Sequence, residues 1–186
     1  FVSGGGGYGD PLERDPHKVV QELRDGLVSG HAAINYYGIA LLQDGRTLDA
    51  PATQRRRQAL RQERLAQGRP FGGSTSLVPQ GQALRPRLKF HEYLEIAGDS
   101  GHPIIRCRCG HVFCSANESY KDYALRRVRD LEELTGRRLP HGQPYLTVWL
   151  EYICPGCATL LQVDVWCPPL GDEKPLWDPR LDLHTF

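Results

Sequence analysis

The sequence predicts an α+β protein in which helices come first and strands follow. Helix caps and apolar residues at helical spacing occur between Asp15 and Gln67. After a stretch rich in proline and glycine, short apolar runs of strand length flank two groups of cysteines. These changes of pattern divide the chain into a mainly helical segment at 1–68, a linker at 69–87 and a β domain at 88–186 that ends in a proline-rich tail.

The first segment is predicted to contain helices because their start and stop signals are present. Asp15 is a suitable N-cap, and Pro16 follows it at the first helical position, where the missing N–H costs nothing. This helix is expected to end at Gly26. Ser29 is a suitable N-cap for a second, shorter helix that stops at Gly38.

A small hairpin and a third helix are expected to complete this segment. Apolar residues on both sides of a turn at 43–46 indicate the hairpin. Asp49 is a suitable cap for a helix at 51–67. Large apolar residues are few, so the segment is not expected to bury enough surface to fold alone. We therefore expect residues 1–68 to dock on another protein.

The linker contains many prolines, glycines and serines, and the domain after it is predicted to contain strands and one helix. Strands are predicted within 88–96, in the run that leads into Cys107, at 145–153 and at 160–166. Residues 120–134 are predicted to form the helix because five apolar residues recur at helical spacing: Tyr123, Ala124, Val128, Leu131 and Leu134.

Five cysteines in two groups, at 107–114 and 154–157, predict a metal site. Each group lies between two predicted strands and includes a glycine that permits a tight turn, which is the arrangement of a zinc ribbon. An all-sulfur donor set favours Zn²⁺ in a structural role. The predicted ligands are Cys107, Cys109, Cys154 and Cys157, with Cys114 as the alternate ligand. The predicted β domain is therefore zinc-ribbon-like, with a helical insertion.

Other interpretations of these residues fit the sequence less well. A RING finger would need eight ligands, including a cysteine at the position that Asn117 occupies. A hydrolytic zinc would need an open coordination position, and four thiolates leave none. His111 is expected to be a hydrogen-bonding neighbour or a strand residue, and Cys167 to pack in the tail. The glycine-rich start lacks the Gly-Lys-Ser/Thr ending of a phosphate-binding loop.

Charge gives no sign of a nucleic-acid-binding protein, because the formal net charge is +1. One local group of arginines could bind a polyanion or an acidic partner, but no aromatic residues interleave with it as stacking platforms. These arginines are predicted to form the solvated face of a helix. The arginines concerned are Arg55, Arg56, Arg57, Arg61, Arg64 and Arg69.

Six cysteines in a chain with no visible signal peptide predict a reducing compartment and metal binding in preference to disulfides. The cytoplasm is the expected location. No apolar run is long enough to span a bilayer, so no membrane association is expected. The chain contains no methionine, and we expect it to be processed or to be a fragment of a longer product.

Two sets of motifs resemble two parts of one enzyme group. The run Cys-Arg-Cys-Gly-His-Val-Phe-Cys at 107–114, the arginine-rich run at 126–130 and the run at 151–160 are similar, in order and spacing, to the gamma subunit of acetone carboxylase and its relatives. This resemblance covers residues from about 86 to the end. Residues 4–65 resemble the C-terminal tail of hydantoinase B and oxoprolinase-type subunits, through the runs at 4–16, 25–29 and 37–38.

The resemblance implies a small subunit of an ATP-dependent ketone carboxylase of the acetone or acetophenone carboxylase type. It implies hydantoinase A-like and hydantoinase B-like large subunits as partners, which carry ATP, a divalent metal and the conversion of ketone and bicarbonate to a 3-oxo acid. This chain would then be a scaffold without catalytic residues. The alternative function is a standalone zinc-ribbon module that binds protein or nucleic acid.

Overall fold

The computed structural model describes residues 8–70, 86–98, 101–132 and 139–168. The chain divides into two compact units, and the boundary along the sequence falls between Ala66 and Gln67. The first contains helices and the second contains antiparallel sheets, so the predicted α+β class is confirmed. Most of the predicted linker (71–85) and most of the predicted proline-rich tail (169–186) lie outside the described residues.

The first unit contains three α-helices that begin where the sequence predicts. Asp15 accepts a hydrogen bond from the His17 N–H at 2.9 Å, and Ser29 accepts one from the Ala32 N–H at 3.1 Å. Asp49 caps the third helix by accepting from the Ala52 N–H at 2.9 Å. Each cap satisfies a backbone donor that the helix itself leaves unpaired. The helices are α1 (Pro16–Arg24), α2 (Gly30–Asn35) and α3 (Ala50–Gln67).

The core of the first unit is small. Its main cluster consists of four buried side chains, with partly buried residues such as Leu23 and Tyr37 packed around it, and Leu12 is buried in addition. The predicted hairpin is reduced to a single antiparallel bridge between Leu41 and Leu48. The turn between them is held by Asp44, which accepts from the N–H groups of Arg46 and Thr47 at 2.8 Å each. The buried core residues are Val19, Val20, Ala33 and Ile39.

A buried ion pair corrects the prediction that the arginines of α3 all form a solvated face. Arg64 donates to Asp10 through two nitrogens, at 2.7 and 3.0 Å, and the Asp10 side chain is fully buried. Asp10 also accepts from the Leu12 N–H at 2.9 Å. Arg57 donates to the carbonyl oxygens of Tyr37 and Arg14. Arg57 and Arg64 therefore point into the unit, whereas Arg55 and Arg56 are exposed, and Arg56 donates to the Asn35 side chain at 3.4 Å.

The second unit contains two four-stranded antiparallel sheets. One has the order β2-β3-β4-β5, in which each strand pairs with the next along the chain. The other has the order β1-β6-β7-β8, with the two-residue β1 at its edge. The strands are β1 (Arg69–Pro70), β2 (Pro86–Lys89), β3 (Leu94–Ala97), β4 (Ile104–Cys107), β5 (Val112–Ser115), β6 (Leu125–Asp130), β7 (Val148–Ile153) and β8 (Leu160–Trp166).

The predicted helix at 120–134 is wrong at 120–130, whereas Leu131 and Glu132 are helical. Tyr120–Asp122 forms one turn of 3₁₀ helix, and the chain then extends as β6. Six residues of β6 pair in register with β7, and its other edge pairs with β1. Val128, which belongs to the proposed apolar stripe, is 52% exposed. Pairing within the sheet therefore overrides the local helical periodicity, as tertiary context commonly does.

One core joins both sheets of the second unit. Most of its buried members come from β3, β4, β5, β7 and β8, and they include Phe113, Leu150 and Tyr152. Cys107 and Cys154 belong to the same cluster, so the ends of β4 and β7 lie close together. Among the residues that the structure describes, the helices lack the length and apolar character needed to cross a bilayer.

Candidate metal centre

The first cysteine loop is a tight turn between β4 and β5. The Gly110 N–H donates to the Cys107 carbonyl at 2.8 Å, and the Cys107 N–H donates to the His111 carbonyl at the same distance. Gly110 has a φ of 95°, which glycine adopts without strain. The loop is also bonded to the residue before β3, because the Arg108 N–H donates to the Tyr93 carbonyl at 2.9 Å. These bonds fix the backbone that carries Cys107 and Cys109.

The second cysteine loop is also a tight turn, and it lies between β7 and β8. The Ala158 N–H donates to the Cys154 carbonyl at 2.9 Å, and the Cys154 N–H donates to the Thr159 carbonyl at 3.0 Å. Ala158 completes the turn with a φ of 60°, a conformation that few residues other than glycine adopt. The turn presents Cys154 and Cys157 on one side.

The two loops bring four sulfur atoms together. The Sγ atoms of Cys107, Cys109, Cys154 and Cys157 all lie within 4.8 Å of one another. Two of the distances between loops, Cys107 to Cys157 and Cys109 to Cys154, are 3.8 Å. A tetrahedral zinc ion about 2.3 Å from each sulfur would hold the sulfurs about 3.8 Å apart. The cluster therefore has the donor chemistry and the size of a tetrahedral thiolate site.

Contacts among the sulfurs shift the pKa values of Cys154 and Cys157 in opposite directions. Hydrogen bonds from Cys107 and Cys154 lower the pKa of Cys157, and the Thr159 hydroxyl, 3.1 Å from the Cys157 sulfur, adds to this effect. The pKa of Cys154 is raised because its thiol hydrogen-bonds to Cys107 and Cys157 and is buried. Four thiolates this close need a cation to offset their repulsion. One divalent ion would do so.

Gly156 allows the two loops to approach each other. A methyl group added at this position would lie 2.8 Å from the His111 Cβ and 3.3 Å from the Cys109 sulfur. The first distance is shorter than a normal contact between two carbon atoms. The His111 ring packs edge-on against Phe113, with ring centres 5.0 Å apart. Burial lowers the pKa of His111. The space between the loops therefore has room for a glycine and no larger residue.

The other two cysteines lie outside this cluster. Cys114, the alternate ligand in the sequence prediction, is in β5, where its buried thiol donates to the Glu118 carbonyl at 3.8 Å. Cys167 is half-buried just after β8. Sequence reasoning missed Thr159 and the steric role of Gly156. The signals of these roles in the sequence are a threonine two residues after Cys157 and a glycine between Cys154 and Cys157.

The chain is similar to subunits of known enzyme complexes. Residues 83–185 match the family model described as acetone carboxylase gamma subunit. The acetone carboxylase gamma subunit of Xanthobacter autotrophicus (strain ATCC BAA-1158 / Py2) is 38% identical over 78 residues, which are 38% of this chain and 46% of that subunit. The chain therefore spans about half the length of this relative.

Larger proteins match over shorter parts of their length. The acetophenone carboxylase delta subunit of Aromatoleum aromaticum (strain DSM 19018 / LMG 30748 / EbN1) is 38% identical over 71 residues, which are 38% of this chain and 10% of that subunit. The B subunit of a putative D-/L-hydantoinase of Pseudomonas sp. (strain NS671) is 39% identical over 54 residues, 29% of this chain and 9% of that protein. The chain thus resembles a small piece of these two proteins.

Proposed function

The chain belongs to the acetone carboxylase gamma subunit family, and on this basis we propose that it is the small zinc-binding subunit of an ATP-dependent ketone carboxylase complex. The observation that carries the proposal is the convergence of four cysteine sulfurs within the part of the chain that matches the family. The proposed ligands are Cys107, Cys109, Cys154 and Cys157. Cys114 is not among them because its thiol bonds elsewhere.

The proposed role of the metal is structural. Four thiolates fill a tetrahedral zinc site, so no position remains for water or substrate. A zinc ion bound here would supply a rigid link between the β4–β5 loop and the β7–β8 loop. Carboxylation of a ketone with bicarbonate, with its ATP and divalent metal, is then the task of partner subunits, and this chain is non-catalytic. None of the six cysteines, all of which lie in the described part of the chain, forms a disulfide, and we propose a reducing compartment such as the cytoplasm.

We propose that the first segment of the chain docks on a large subunit of the complex. Residues 1–68 are the docking segment, 69–87 the linker and 88–186 the zinc-ribbon-like domain with its tail. The partners are hydantoinase A-like and hydantoinase B-like large subunits. Support comes from two relatives, the acetophenone carboxylase delta subunit and the hydantoinase B protein, which match over only 10% and 9% of their length. Matches this short are expected if the C-terminal tail of such a large subunit is part of this chain instead.

Native purification followed by intact-complex mass spectrometry and metal analysis tests the subunit proposal. We expect the chain to purify with two kinds of hydantoinase-like large subunit and with one zinc ion per copy. A chain that purifies alone with zinc would overturn the proposal and favour the standalone zinc-ribbon module. Expression of the hydantoinase B-like partner with and without residues 1–68 tests the docking role, and equal stability and activity would contradict it.

Serine variants test the ligand assignment. Cys154→Ser removes one of four thiolates, and we expect zinc content to fall well below one ion per chain after dialysis against a weak chelator. Cys114→Ser is the matched control, because this cysteine is also buried but lies outside the cluster. It should keep the full metal content. Loss of zinc in both variants, or in neither, would refute the assignment.

A further inference from the structure

The four ligands of the candidate metal centre differ in their exposure to solvent. Cys107 and Cys154 are buried, with 0% of each residue exposed. Cys157 is half-buried, whereas Cys109 is exposed. This difference follows from their positions, because Cys107 ends β4 and Cys154 directly follows β7, whereas Cys109 is a central residue of the turn from Cys107 to Gly110. A reagent in solution therefore meets Cys109 before it meets the other three ligands.

The half-buried ligand has a second form of protection. The Thr159 hydroxyl lies 3.1 Å from the Cys157 sulfur, and the backbone of Thr159 also bonds to this sulfur. Donors that share the negative charge of a thiolate make it a weaker nucleophile. Thr159 is itself buried, so water does not replace these bonds. Burial and hydrogen bonding therefore both disfavour reaction at Cys157.

A second cysteine lies beside the exposed one. The sulfurs of Cys109 and Cys154 are 3.8 Å apart. A disulfide between them would require the sulfurs to approach by roughly a further 1.8 Å, to a bonded distance of about 2.05 Å. Cysteines that react with oxidants are accessible to solvent and often lie next to a second cysteine that resolves the first product. The pair formed by Cys109 and Cys154 has both properties.

We propose that Cys109 is a modification site of the metal centre, at which a small-molecule disulfide reacts, and that Cys154 resolves the product. This inference rests on the proposed function, because thiols that bind a metal ion are deprotonated. The Cys109 thiolate attacks one sulfur of the disulfide RS–SR. The bond between the two sulfurs of the reagent breaks, a mixed disulfide forms at Cys109, and RS⁻ leaves with the electron pair.

The second step completes the reaction and removes two ligands from the metal. The Cys154 thiolate attacks the Cys109 sulfur, and a second RS⁻ leaves. Over both steps the two cysteine thiolates lose two electrons and form one disulfide, while RS–SR gains two electrons and becomes two RS⁻. Cys107 and Cys157 remain as ligands, and two thiolates do not complete a tetrahedral zinc site. The modification should therefore release the metal, and excess thiol should reverse it.

Oxidised glutathione, added to the zinc-loaded chain, is the probe that tests this proposal. Peptide mass spectrometry should find the mixed disulfide at Cys109 at least about tenfold sooner than at the three other ligands, because they are less accessible. The final product should contain the Cys109–Cys154 disulfide, and a chromophoric chelator should report the release of one zinc ion per chain. Cys114→Ser is the matched control, because it removes a buried cysteine outside the cluster and should change neither rate.

The outcomes separate this inference from the proposed function. Equal labelling of the four ligands, or earlier labelling of Cys157, would overturn Cys109 as the site of reaction. A final disulfide between Cys109 and a residue other than Cys154 would overturn the resolving role. Full retention of zinc without any adduct after prolonged exposure would overturn both. A chain that binds no zinc would instead refute the metal site of the proposed function.

Discussion

Gly156 shows how one residue without a side chain sets the distance between two metal-binding loops. The neighbouring loop contributes His111, whose Cβ leaves no room for a methyl group at position 156. A zinc site depends on sulfur positions to within a few tenths of an ångström. The glycine is therefore needed for the geometry of the site, although it supplies no ligand atom.

Gly156→Ala is expected to weaken metal affinity at least tenfold, because the loops must separate to accept the Cβ. Competition with a chromophoric chelator measures the affinity. Gly30→Ala is the matched control: a Cβ there meets nothing within 4 Å, and the residue is the first of α2, outside the metal-binding loops. Unchanged affinity in Gly156→Ala would show that the loops adapt to the added methyl group.

Cys114 illustrates how burial makes a thiol unreactive. Burial, together with the nearby charges of Glu118 and Asp122, raises the pKa of Cys114 to about 12. A raised thiol pKa means less thiolate at a given pH, so at pH 8 the reactive fraction is lower by roughly three orders of magnitude than for an ordinary thiol. We expect iodoacetamide at pH 8 to modify half-buried Cys167 at least tenfold faster than Cys114, as followed by peptide mass spectrometry. Similar rates would contradict this.

At the scale of elements, the first unit depends on a contact that joins its start to α3. Asp10 begins the 3₁₀ turn Pro11–Glu13 and also pairs with Arg64, 54 residues later in the chain. Both side chains are buried, at 0% and 8% exposure. Removing one partner of a buried pair leaves the other charge without compensation. This pair therefore connects the residue that caps the 3₁₀ turn to α3.

Asp10→Asn is expected to destabilise the first unit by about 3–5 kcal/mol, because the Arg64 charge stays buried without its carboxylate. Hydrogen exchange at residues 8–66 measures the change. Glu22→Gln is the control: it removes a partner of Arg14 from an exposed pair, which should cost at most about 1 kcal/mol. If the two variants exchange alike, the buried pair has no special role in stability.

At the scale of the whole molecule, the two units differ in what holds them together. The first depends on helix caps, a small apolar core and the Asp10–Arg64 pair. The second has a larger core that joins both sheets, and it also has the four-cysteine cluster. A bound structural zinc ion contributes about 10–16 kcal/mol in small zinc domains. The stability of the second unit should therefore depend on metal, and that of the first should not.

Removal of metal by a strong chelator is expected to raise hydrogen exchange in β4, β5, β7 and β8 and to leave exchange in α1–α3 unchanged. Hydrogen exchange with mass spectrometry resolves the two units in one experiment. Addition of zinc should restore protection. Protection that is the same with and without chelator would mean that the core alone holds the sheets together and that the metal has no structural role.

Local chemistry in the sequence determined the helix starts and the strands beside the cysteines. Asp15, Ser29 and Asp49 cap helices through contacts within three residues, so their effect is visible without a structure. The strands at 148–153 and 160–166 follow from short apolar runs around a turn. The grouping of cysteines likewise indicates metal chemistry from residue type and spacing alone.

Only the tertiary structure decided the features that depend on distant partners. Residues 125–130 form a strand because β1 and β7 offer hydrogen bonds on both sides, which local periodicity cannot show. Arg64 is buried because Asp10 lies opposite it. Cys114 lies outside the sulfur cluster because β5 directs its thiol to the Glu118 carbonyl. The physical reason is the same in each case: the free energy of long-range pairing exceeds the local preference of the residue.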